Sequence, residues 1–164
     1  MEWYLKVIRN YATFKGRARR KEYWMFILFN FIIGIVLSII DNVLGLTYNY
    51  FEYSSGGMLN SLYNLFVFIP ALSVMVRRLH DVNKSGWLIG IMYIGIGVLM
   101  LSVFSMITIT NYSAAMVFIP SLIMIAYCIY LFVLTVTEGD SGPNQYGEDP
   151  KALVDLNIEN DYTS

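Results

Sequence analysis

The stretch SGWLIGIMYIGIGVLMLSVFSMITITNYSAAMVFIPSLIMIAYCIYLFVLTVTE, residues 85–138, carries no charged side chain until its last residue, Glu138. It is too long for one core element of a soluble domain and too apolar for a surface in water. A helix needs about 20 mostly apolar residues to cross the roughly 30 Å hydrocarbon core of a bilayer. The stretch therefore divides into two spans, residues 87–109 and 114–136, parted by the polar turn 110–113. Toward the N-terminus, residues 23–40 and 58–76 qualify in the same way. None of the four alternates with period two, which excludes a β-barrel pattern. The composition agrees: 57% of the 164 residues are hydrophobic and 14% charged, against roughly 45–50% and 25% in soluble domains. The chain is predicted to be an all-α integral membrane protein of four transmembrane helices. We expect one membrane domain over residues 1–151 and an acidic, mobile tail over 152–164.

The charges are polarised along the chain. Residues 1–22 hold seven Lys/Arg and two acids, whereas from Glu138 onward there are one Lys and seven acids. The second connection adds Arg77, Arg78 and Lys84, and the first and third connections carry no basic residue. All eleven Lys and Arg then fall on one side, which the positive-inside rule assigns to the cytoplasm, together with both termini. Trp24 and Trp87 begin spans at that interface, and Tyr48, Tyr50, Phe51 and Tyr53 suit an aromatic belt on the opposite face. At 100° per residue Trp3, Tyr4, Val7, Ile8, Tyr11 and Phe14 share one face, opposite Lys6 and Arg9. That pattern predicts an interfacial amphipathic helix ended by Gly16. Residues 1–40 make a poor signal peptide, since the apolar stretch is too long and no small-residue cleavage site follows.

Several chemistries have no basis in the sequence. One cysteine, Cys128, and one histidine, His80, allow neither an intrachain disulfide nor a zinc cluster. Cys128 lies in an apolar run and reads as a packed, inert thiol. From Asp140, loop position six is Gln145 and position twelve Lys151, so the acidic turn fails the EF-hand pattern. We expect no metal, no cofactor and no nucleic-acid partner. The central parts of the spans hold no Asp, Glu, Lys, Arg or His, which disfavours a proton-coupled or ion-coupled carrier. Pro70 and Pro120 interrupt the second and fourth spans.

Three polar segments flank the spans. The first, Phe14 to Trp24, contains Arg17, Arg19 and Arg20, whose charges beside a membrane read as attraction for anionic headgroups or as a topology signal. The second, Arg77 to Trp87, offers two arginines able to grip a phosphate. On this reading, neutralising Arg77 and Arg78 weakens lipid retention without unfolding the protein. The third, Glu138 to Pro150, encodes successive turns. Glu22, His80, Asp81, Asn144, Tyr146 and Asp149 are candidates for a cluster locking these segments together, with Asp81 and Glu22 pairing nearby arginines. The competing reading makes His80 a general base oriented by Asp81, although adjacent residues rarely reach that geometry.

Together, Phe14-x-Gly16-Arg17-Ala18-Arg19-Arg20-x-Glu22-Tyr23-Trp24, Arg77-Arg78-Leu79-His80-Asp81-x-x-x-Ser85-Gly86-Trp87 and Gly139-x-x-Gly142-x-Asn144-x-Tyr146-Gly147-x-Asp149-Pro150 resemble the signatures of a bacterial family. It comprises small inner-membrane proteins related to YhaH and YhaI, a domain of unknown function, and the resemblance covers about residues 1–151. It implies a multi-pass bacterial inner-membrane protein with no established activity. The leading expectation is a non-enzymatic protein whose cationic face binds anionic lipid headgroups or a partner protein. The alternatives are a small enzyme acting on a lipid phosphate, and a homo-oligomeric channel or accessory subunit of a transport system.

Overall fold

The computed structural model describes residues 1–51, 54–108 and 115–152. The elements follow the order α1 (Glu2–Arg9), α2 (Arg20–Val43), β1 (Thr47–Phe51), β2 (Ser54–Gly57), α3 (Met58–Asp81), α4 (Trp87–Thr108) and α5 (Ala115–Val136). Helices α2 to α5 are each long and apolar enough to cross a membrane. Outward-facing side chains such as Phe31, Ile39, Leu65, Ile94 and Leu122 are exposed, as suits a bundle whose surroundings are lipid tails rather than water. Cys128 is exposed on α5 rather than packed, in an open groove that it shares with Leu99 of α4. The predicted turn at 110–113, the span ends at 109 and 114, Tyr53, the side chains of Tyr50 and Phe51, and the tail from 153 onward lie outside the described residues.

Two of the spanning helices run past their apolar stretches into charged sequence. Arg20 to Glu22 form the first turn of α2, and Arg77 to Asp81 the last turn of α3. Charged groups are thereby held on regular backbone beside the ends of the bundle. Two apolar clusters support them. Val7, Ala18, Phe26, Val67 and Val74 join the N-terminal segment to α2 and α3. Leu79, Val82, Ile89, Leu131 and Leu134 join the ends of α3 and α5 to the start of α4.

Helix α1 is shorter than its amphipathic pattern. It stops at Arg9, where both the backbone and side-chain amides of Asn10 donate to the Lys6 carbonyl at 3.1 and 2.9 Å. Asn side chains compete in this way with a continuing helix. Its apolar face is turned onto α2 and α3: Val7 is fully buried and Tyr4 stacks on Phe26 with centroids 5.4 Å apart. The Tyr4 and Tyr63 hydroxyls lie 3.1 Å apart, and Tyr63 donates to Asn30 Oδ1 at 2.5 Å. Beyond α1, Tyr11 donates to the Phe66 carbonyl at 2.7 Å. That carbonyl lacks its helical donor because Pro70, four residues on, has no N–H. The N-terminal segment thus repairs the break that proline makes in α3.

At the opposite end of the bundle, β1 and β2 form an antiparallel hairpin with Thr47 opposite Gly57 and Tyr48 opposite Gly56. The hairpin is only half legible: Thr47, Tyr48, Tyr50 and Phe51 favour a strand, whereas Ser54-Ser55-Gly56-Gly57 has low β propensity and conceals its partner. The hairpin brings the start of α3 against the end of α2. Asp41, fully buried, accepts the backbone N–H groups of Leu59 and Asn60, each at 3.0 Å. It caps α3 from a neighbouring helix, the N-cap residue itself being Gly57.

Candidate functional site

The three polar segments converge at the end of the bundle away from the hairpin, and buried carboxylates organise them. Asp81 ends α3 and is 5% exposed. One oxygen accepts Arg17 Nε at 3.0 Å, and the other pairs with Arg78 Nη1. Arg17 also donates to the carbonyls of Gly142, at 2.6 Å, and Asp140. Arg78, fully buried, donates to the carbonyls of Thr135 at 3.1 Å, Leu134 at 3.4 Å and Thr137. These carbonyls belong to the end of α5, where a helix leaves acceptors unsatisfied and carries partial negative charge. Arg78 therefore caps α5 from α3.

A second pairing lies on the α1 side. Glu22, fully buried in the first turn of α2, accepts Arg77 Nη1 at 2.7 Å and meets Lys6 Nζ at 2.9 Å. The Nε and Nη2 atoms of Arg77 are buried with no partner among the described residues. The chain before α2 is tied to the same turn, since the Ala18 N–H donates to the Arg77 carbonyl at 2.9 Å.

The closing turn docks on His80. Its ring stacks on Tyr146 with centroids 3.9 Å apart and planes 2° apart. His80 Nδ1 lies 3.1 Å from the carbonyl of Gly16, whose φ of +84° turns the chain there, a backbone region natural to glycine. Asn144 Nδ2 donates to the His80 carbonyl at 2.9 Å, and the Asp140 N–H to that of Asp81 at 2.8 Å. Asp149 accepts the N–H groups of Gly142 and Lys151 at 3.1 and 2.8 Å. Asp81 thus gives its carboxylate to arginines and not to His80, and the two do not form a base with an orienting acid.

The structure brings together Arg17, Glu22, Arg77, Arg78, His80, Asp81, Asn144, Tyr146 and Asp149, and it separates Arg19 and Arg20 from them. Arg17, Arg77 and Arg78 are buried at 8%, 4% and 0% exposure. Arg17 and Arg78 direct their donors at protein oxygens and Arg77 gives Nη1 to Glu22, so neutralising Arg77 and Arg78 should disturb the fold as well as any headgroup contact. Arg19 and Arg20 instead join Lys21 and Lys151 around a pocket of about 340 Å³. Glu138 sits beside it, 3.2 Å from Arg20 Nη2 and 2.5 Å from Lys151 Nζ. Lys21 belongs to the cationic run already read as headgroup-attracting, whereas Lys151 and Glu138 escaped the sequence reading as site residues. The signal was present, for Lys151 is an isolated cation inside an otherwise acidic C-terminal segment.

Two predictions arise from this geometry. A Cβ on Gly139 would lie 2.0 Å from Asp81 Oδ2, so Gly139→Ala forces the cluster apart. Overpacking of this kind costs about 1–3 kcal/mol, and the melting temperature in detergent should fall. Gly97→Ala, with nothing within 4 Å, should leave it unchanged or slightly raised. The second concerns pH. The Lys151 N–H, helped by that of Gly142, holds the Asp149 carboxyl below the ordinary aspartate value. A depressed carboxyl contributes stability above its unfolded pKa of about 3.9, and the contribution is lost as pH falls through the folded value. Amide exchange at Gly142 should therefore accelerate, beyond its intrinsic trend, on acidification below about pH 4. Asp149→Asn should flatten that acid limb.

Four apolar helices with a polar, ion-paired cluster at one end define a polytopic integral membrane protein. The chain belongs to the family described as "Protein of unknown function (DUF805)", which it matches over residues 11–148. It is 40% identical over 152 residues to the inner membrane protein YhaI of Escherichia coli strain K12, covering 92% of this chain and 97% of that one. To the inner membrane protein YhaH of the same strain it is 50% identical over 88 residues, covering 53% of this chain and 69% of that one. The same two relatives are matched in Escherichia coli O157:H7. No solved structure matches. The chain is a polytopic inner-membrane protein of that family, and the segments that resemble the family's signatures are those that meet in the buried cluster.

Proposed function

We propose that the protein is a non-enzymatic inner-membrane component with both termini in the cytoplasm, whose cationic cytoplasmic rim holds anionic lipid headgroups. The observation that carries this reading is a division of labour among the basic residues. Arg17, Arg77 and Arg78 neutralise the buried acids and cap α5, whereas Arg9, Lys15, Arg20, Lys21 and Lys84 remain exposed at the same end of the bundle. Exposed cations beside a span attract anionic lipid by about 1 kcal/mol each. The cytoplasmic assignment rests on the basic residues of that end and the positive-inside rule. Reporter fusions at the C-terminus should be active in the cytoplasm. In nanodiscs of mixed phosphatidylglycerol and phosphatidylcholine, native mass spectrometry of the released protein should find phosphatidylglycerol enriched over its bulk fraction. Retention in bulk proportion would refute the headgroup reading, and a co-released protein in place of lipid would favour an accessory role.

A further inference from the structure

We propose that the pocket at the start of α2 is a specific phosphate-binding site, formed by Arg19, Arg20, Lys21 and Lys151, that takes the phosphate of an anionic phospholipid headgroup. The proposal rests on the cationic-rim reading and narrows it to one place. The pocket's lining is those four cations, around about 340 Å³. That volume is near the lower end of small-ligand sites, and every lining residue ends in a cationic head. Glu138 neutralises one of the four charges and lies at the edge, leaving a surplus of three.

Arg19 supplies the second observation. Its Nε and Nη2 atoms are buried and have no partner among the described residues. Arg77 shares this state, whereas Arg17 and Arg78 direct Nε, Nη1 and Nη2 at oxygens of the protein; of the two arginines with unmade donors, Arg19 is the one that lines the pocket. Buried guanidinium donors left unmade are costly, and a shift of the Arg19 side chain toward the pocket would bring both within bidentate reach of a phosphate. Arg19 is also the N-cap residue of α2 and gives no side-chain cap to the helix. The first N–H groups of α2 have no intrahelical acceptor, so the helix end adds its own positive potential.

The pocket also lies at headgroup depth. One turn further along α2, Trp24 Nε1 donates to the Thr135 carbonyl at 3.3 Å, where the apolar stretch begins. Lys21 Nζ rests 5.9 Å from the centre of the Trp3 ring, which restrains it beside the pocket. A phosphomonoester, carrying more charge than a diester, should bind more tightly here.

The test uses the full chain in phosphatidylcholine nanodiscs doped with phosphatidic acid or with phosphatidylglycerol, retained lipid being counted by native mass spectrometry. A second arm titrates inorganic phosphate into undoped nanodiscs by calorimetry. The wild type should retain one phosphatidic acid in preference to phosphatidylglycerol and phosphatidylcholine. Arg19→Gln with Lys21→Gln should reduce that retention well beyond tenfold, because direct hydrogen bonds to the charged phosphate are lost along with the general surface attraction. Lys15→Gln with Lys84→Gln, which removes equal charge elsewhere, should change it far less. Glu138→Gln, at an exposed position, should raise retention several-fold and keeps the test decisive if the double variant fails to fold.

Equal losses in the two double variants, or no gain in Glu138→Gln, would overturn the pocket while leaving a diffuse cationic rim in place. No anionic preference in the wild type would overturn both. Binding of inorganic phosphate with no lipid retained would support the phosphate site and overturn the lipid as its source.

Discussion

Asp81→Asn should lower the stability of the protein by about 3–5 kcal/mol, the cost of removing one partner from a buried ion pair. The loss falls on two guanidiniums at once, because Arg17 and Arg78 share this carboxylate from opposite sides. Asparagine keeps the shape and one acceptor oxygen but removes the charge that both arginines need. The consequence should spread beyond α3, since Arg78 also caps α5 and Arg17 also holds the closing turn. Thermal unfolding in detergent should show a large drop in midpoint. Adding Arg17→Met to Asp81→Asn should cost less than Arg17→Met does in the wild type, because the partner is already gone. Wild-type stability in Asp81→Asn would refute the central role given to this carboxylate.

Asp41→Ala is the counterpart at the other end of α3, with an expected loss of about 2–4 kcal/mol. The estimate joins an N-cap contribution of about 0.5–2 kcal/mol with the greater strength of hydrogen bonds to a charged acceptor. No neighbouring side chain can replace it, because Gly57 occupies the N-cap position and offers none. Amide exchange at Leu59 and Asn60 should accelerate selectively, and Asp41→Asn should recover part of the protection. Gly57→Ala should reproduce the defect with Asp41 intact, for its Cβ would lie 2.0 Å from Asp41 Oδ2. Unchanged exchange at both amides in Asp41→Ala would rule out the cap.

The spans were legible because each is apolar over its full length, a property that needs no knowledge of neighbours. The convergence of the polar segments was legible from charge, since the basic connections must share one side of the membrane. The roles of individual arginines were not. Arg17 and Arg20 stand three residues apart, yet one is buried against Asp81 and the other exposed beside Glu138. Their difference is decided by where Asp140, Gly142 and Glu138 arrive after the last span, and local sequence carries no trace of that. Asp41 was equally opaque: it marks the end of α2 in sequence, whereas its work is on the first turn of α3. Helix α1 shows a further limit. Its apolar periodicity continues to Phe14, but Asn10 closes the helix and the residues beyond it turn to mend the backbone at Pro70.

The shared carboxylate of Asp81 also bears on how the chain is inserted. Its partners lie before α2 and on α3 itself, and the carbonyls that complete their coordination lie after α5. The set closes only when all four spans have crossed in the right sense, because one inverted helix would leave acceptors and arginines on opposite sides of the bilayer. A chain halted after α3 would present Arg78 and Asp81 without the α5 carbonyls. A correctly threaded chain buries the cluster, and a misthreaded one would leave its arginines and carboxylate without these partners, at the cost of uncompensated charge.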